Sequence, residues 1–66
     1  MQQNQGKNAK QHVQDVQSNL MDSTTCLNQA LNSVEKPENR QKIQNTLNSV
    51  ESALNSVNST LSNYQE

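Results

Sequence analysis

The apolar residues Ile43, Leu47, Val50, Leu54, Val57, Leu61 and Tyr64 follow one another at intervals of four, three, four, three, four and three. A strand would place its apolar residues at every second position. The unbroken four–three alternation belongs to a helix that meets another helix along a narrow seam. The four-residue word Leu-Asn-Ser-Val begins at Leu31, Leu47 and Leu54. In heptad terms its Leu takes position a and its Val position d. Leu47, Leu54 and Leu61 occupy a; Ile43, Val50, Val57 and Tyr64 occupy d. Leu at a with β-branched residues at d is not the parallel-dimer preference and leans toward bundles of more helices.

The first half of the chain obeys the same rule less strictly. Val13, Leu20, Leu27 and Val34 fit d, while a is held by Gln17, Thr24 and Leu31. Gln17 and Thr24 are polar faults in the seam. Val16, Met21 and Ala30 widen the apolar stripe on its flanks. Between the halves lies Val-Glu-Lys-Pro-Glu-Asn-Arg-Gln-Lys. Pro37 suits a first helical turn and disfavours α geometry at Lys36. Glu38 then sits near the positive end of the second helix. The pattern predicts an all-α chain: a flexible polar arm over residues 1–6, a helix over about 7–35, a turn at about 36–37, and a helix over about 37–64. Each helix would be roughly 40 Å long.

A tight turn makes the two helices antiparallel neighbours. With the turn centred near Pro37, residues whose numbers add up to about 74 share a layer. Leu31 then meets Ile43, Leu27 meets Leu47, Leu20 meets Leu54 and Val13 meets Leu61. Thr24 meets Val50, and Gln17 meets Val57. Every layer sets an a against a d, although the two heptads are read independently.

Composition explains why a hairpin alone is a marginal solution. The chain has 66 residues, 29% of them hydrophobic, with Tyr64 its sole aromatic. Asn, Gln, Ser and Thr make up about half of it, close to the composition of disordered chains. Asn, Ser and Thr cost several tenths of a kcal/mol each against Ala inside a helix, or roughly 5 kcal/mol per helix here. One seam offsets that poorly, and chains this short commonly need a metal, a disulfide or a partner. Self-association is the expected remedy. The two sides of the hairpin differ. Val16, Ser23, Ala30, Thr46, Ala53 and Thr60 hold the g positions, which are small and partly apolar. Gln14, Met21, Asn28, Gln44, Glu51 and Asn58 hold the mostly polar e positions. The g side is the expected interaction surface, on which a second hairpin would complete a four-helix bundle.

Little else suggests chemistry. His12 and Asp15 share a helix face, but a metal site needs three or four ligands, and a solvated face is the expected reading. Cys26 falls at position c beside the g side, mid-helix with Asp22 one turn before it, which disfavours thiolate. It is expected to be a partly covered, inert thiol, with a redox or intersubunit disulfide role as the other reading; a single cysteine cannot bridge internally. Asn58-Ser59-Thr60 matches a glycosylation acceptor, as chance would provide in so Asn- and Ser-rich a chain. No phosphate loop, nucleophile–base pair or carboxylate dyad is present, so no catalytic residue, cofactor or metal site is expected, and an enzyme is not. Five Lys and Arg against six acids give a formal charge of −1, which is no footprint for nucleic acid. No apolar run approaches a membrane span and no signal-peptide core occurs, which points to a soluble intracellular protein.

The polar start, the two equal helices and the short charged turn with Pro37 and Glu38 resemble the small helical-hairpin proteins of spore-forming Firmicutes. That resemblance implies a bacterial protein, cytoplasmic or spore-associated, and assigns no functional residue. Two functions follow from the pattern. The first is a non-enzymatic assembly protein that homodimerises. The second is a small regulatory protein whose hairpin binds a larger helical partner, such as a signalling kinase.

Overall fold

A computed structural model describes residues 8–65. The fold is two helices, α1 (Ala9–Ser33) and α2 (Pro37–Ser62), packed against each other as an antiparallel hairpin. The expected arm over residues 1–6, and Lys7 at the expected helix start, lie outside the described residues.

The start of α1 is fixed by a reciprocal cap. The backbone N–H of Gln11 donates to the Asn8 side-chain oxygen at 2.9 Å, and the backbone N–H of Asn8 donates to Oε1 of Gln11 at 2.9 Å. Two of the four N–H groups that any helix start leaves without intrahelical partners are thereby satisfied. The helix ends at Ser33 rather than near Glu35, as the spacing predicted. Val34 is extended, with φ −72° and ψ 140°, and Lys36 is extended too, with φ −88° and ψ 130°. Pro37 accounts for the second of these directly, since its ring crowds an α-conformation at the preceding residue. Arg40 helps to secure the early stop. Its guanidinium donates to the carbonyl oxygen of Leu31 at 3.0 Å and to that of Val34 at 3.2 Å. The link between the helices therefore comprises Val34, Glu35 and Lys36, where the expected helix bounds left only Lys36 between them.

Pro37 opens α2 at a position where its missing N–H costs nothing, and Glu38 lies in the first turn, where the helix dipole favours an anion. The helix closes at Ser62, two residues before the predicted end. Asn63 turns back there, donating from both its backbone N–H and Nδ2 to the Ser59 carbonyl, at 3.1 and 3.0 Å.

The seam is where the heptads put it. Val13, Gln17, Leu20, Thr24, Leu27, Leu31 and Val34 are half-buried on α1's side, as are Ile43, Val50, Leu54, Val57, Leu61 and Tyr64 on α2's. Leu47 alone among the described residues is buried, at 4% exposure. Two cross-links fix the register. Arg40 reaches Val34, and Nε2 of Gln17 donates to Oδ1 of Asn58 at 2.6 Å. Both lie within a residue of the predicted pairing.

Candidate assembly surface

On a helical wheel the d row borders g, and the a row borders e. Each flank of the hairpin is therefore one row of the seam plus the row beside it. The g side joins Val13, Leu20, Leu27, Val34, Ile43, Val50, Val57 and Tyr64 to the six predicted g residues; every one of its d positions is apolar or aromatic. The e side inherits both polar faults, Gln17 and Thr24.

The structure treats those faults differently. Thr24 turns its hydroxyl onto the carbonyl of Leu20 in its own helix, at 3.0 Å. Gln17 has a longer side chain and leans outward to Asn58 on the e side. Gln44, also on the e side and half-buried, donates to Asn48 one turn on, at 3.0 Å. The e side thus carries two separate amide–amide hydrogen bonds, and Glu51 on the same side is exposed.

On the g side, Thr46 and Thr60 each donate to a carbonyl four residues earlier, Lys42 and Ser56, at 3.1 Å. Their hydroxyls are already satisfied, so covering them with another chain strands no donor. The Ser23 hydroxyl has no hydrogen-bond partner among the described residues. Of the stripe-widening residues, Ala30 is half-buried, whereas Val16 is 46% and Met21 55% exposed. Val16 belongs to the g side and Met21 to the e side. Ser23, Thr46, Ala53 and Thr60 are exposed. The six predicted interaction residues lie along one flank of the hairpin.

Cys26 is exposed, a correction to the partly covered thiol expected of it. Position c turns far enough from the seam that a two-helix protein leaves it in solvent. His12 and Asp15 are both exposed, and among the described residues no three His, Cys, Asp or Glu side chains come together in a way that could hold a metal ion. No helix among them is long and apolar enough to cross a membrane.

Three contributors escaped the sequence reading: Arg40 as a cap for α1, the Asn8–Gln11 capping box, and Asn58 as the partner of Gln17. No protein-family model, curated protein or solved structure matches the chain. Among the described residues its geometry is that of an all-helical antiparallel hairpin.

Proposed function

We propose that this hairpin is a non-enzymatic assembly protein that homodimerises through its g side into a four-helix bundle. One observation carries the reading. Two helices of 25 and 26 residues, with seams that are apolar except at Gln17 and Thr24, bury a single side chain among the described residues, Leu47. A helix pair covers each seam residue from one direction only, so the remaining layers stay open on a flank. A second hairpin would close them. The g side favours that role because its seam row is wholly apolar and its threonines are already hydrogen-bonded. Burying the e side would desolvate Glu51 and the Gln17–Asn58 pair.

Sedimentation at micromolar concentration, with three variants, tests this. Ala30→Glu and Ala53→Glu should each abolish the dimer, because a carboxylate would be buried there without a partner. Asn28→Glu on the e side should leave it intact. The opposite result would invert the choice of side. A poorly folded monomer at all concentrations would favour the regulatory reading, in which a larger helical partner completes the core.

A further inference from the structure

The following rests on the dimer proposed above and assigns its symmetry. In the hairpin's register, three pairs of g residues lie at matching heights: Val16 beside Thr60, Ser23 beside Ala53, and Ala30 beside Thr46. The middle pair is flanked on each side, one heptad away, by an outer pair. Two copies can meet g side to g side about a two-fold axis in only two ways.

In the first, the axis runs along the helices and both turns lie at one end. Each α1 then faces the partner's α2. Val16 meets the second copy's Thr60, Ser23 its Ala53, and Ala30 its Thr46, so every contact sets an apolar side chain against a hydroxyl-bearing one. In the second, the axis runs across the helices and the turns lie at opposite ends. Each α1 faces the other α1, and each α2 the other α2. Val16 then meets the second copy's Ala30, Ala53 meets its own equivalent, Thr46 meets Thr60, and Ser23 meets Ser23. Apolar meets apolar and hydroxyl meets hydroxyl throughout.

We infer that the dimer takes the second arrangement, with the two-fold axis through the Ser23–Ala53 layer and the turns at opposite ends. Three observations support it. Val16, the largest g residue and 46% exposed, is placed over Ala30, one of the two smallest, so that a projection fills a recess. Ser23, whose hydroxyl lacks a partner among the described residues, is placed where its symmetry equivalent supplies one. The charges of the turn, Glu35, Lys36, Glu38, Arg40 and Lys42, are kept at opposite ends instead of being crowded together. The available area suffices. A flank about 39 Å long and roughly 18 Å wide offers on the order of 700 Å² per chain, or about 1,400 Å² in the dimer, within the range of stable protein interfaces.

Cysteine cross-linking of the full chain in a Cys26→Ser background reads the symmetry. Each variant is first checked for helicity by circular dichroism and for dimer by sedimentation. Under mild oxidation, or with a short bis-maleimide, Ser23→Cys alone should cross-link into a covalent dimer. Val16→Cys alone and Ala30→Cys alone should not, but a mixture of the two should. Cross-linking of a Ser23→Cys and Ala53→Cys mixture, with none for Ser23→Cys alone, would overturn the inference in favour of the axis along the helices. A dimer by sedimentation that yields none of these products would overturn it in favour of another face. A monomer by sedimentation would remove the dimer itself, and this symmetry with it.

Discussion

Leu47→Ala is the substitution that most directly tests how this hairpin is held together. Among the described residues Leu47 is the one buried side chain, at 4% exposure, and the predicted register sets it opposite Leu27. The change removes three carbons, worth about 0.8 kcal/mol each in transfer free energy, or about 2.4 kcal/mol. A cavity cost adds to that, but the thin layer can collapse from its open flanks, so a total near 3 kcal/mol is expected, in the lower part of the range for buried Leu→Ala changes. A domain of this size has only about 3–10 kcal/mol to lose. At roughly 5–8 °C of melting temperature per kcal/mol, the midpoint should fall by about 15–25 °C, or the variant should be largely unfolded at room temperature. Thermal melts followed by circular dichroism at 222 nm measure this. Leu54→Ala is the built-in control: the same chemistry at the next a position, but half-buried. It should cost about half as much and fall short of complete unfolding. If Leu54→Ala proved the more damaging of the two, or if Leu47→Ala moved the midpoint by under about 5 °C, the seam would not be centred where the burial places it.

Two further outcomes follow from the same geometry. The predicted register sets Leu20 opposite Leu54, and both are half-buried, but Leu20 belongs to the d row that borders the g side. If a second copy covers that side, Leu20→Ala should lower the melting midpoint by several degrees more than Leu54→Ala and weaken the dimer in sedimentation; equal effects would argue against the g side. Arg40→Ala should cost about 1 kcal/mol, because two charge-assisted bonds to the carbonyls of Leu31 and Val34 are lost from an exposed position. Its melting midpoint should drop by about 5–8 °C, and amide exchange should quicken at the C-terminal turn of α1 while the middle of that helix is little changed.

The hairpin was legible because its signal is repeated. Fourteen seam positions repeat one spacing rule over two segments, and a polar residue at two of them cannot obscure it. The register read from the heptads lies within a residue of the one that the Gln17–Asn58 and Arg40–Val34 hydrogen bonds set. The helix ends were less legible, because each depends on a single contact. Pro37 announced a break, but the stop at Ser33 also reflects the reach of Arg40 back across the turn. A signal for that existed: Arg40 occupies an a position, and the same register sets it opposite Val34. The spacing of Asn8 and Gln11 likewise matches a capping box. The partner of Gln17 could have been sought on the e side, since the a row borders it, and Asn58 stands one residue beyond the predicted Val57. The exposure of Cys26 was misjudged because a c position is covered only when something docks beyond the hairpin's own two helices.

The repeated word Leu-Asn-Ser-Val does two things besides marking a seam. It sends Leu to the row that borders the e side and Val to the row that borders the g side, with Asn and Ser between them turned outward. Its first copy, Leu31 to Val34, also ends a helix, whereas the copies at Leu47 and Leu54 lie within one; the residues are identical, and the difference is Pro37 downstream together with the carbonyl bonds from Arg40. A hairpin that relied on its own two helices alone would be indifferent to which row carried its polar faults, since both rows would be equally open to water. Here Gln17 and Thr24 both fall in the a row, and each is satisfied within the hairpin, one by Asn58 and the other by a carbonyl of its own helix. The d row is left without a single polar fault over its whole length, beside threonines whose hydroxyls are already occupied. Half-buried in the hairpin alone, that row contributes only part of the apolar burial it could supply. Covered, it would supply the apolar burial that a chain so rich in Asn, Ser and Thr needs to offset its weak helix propensity.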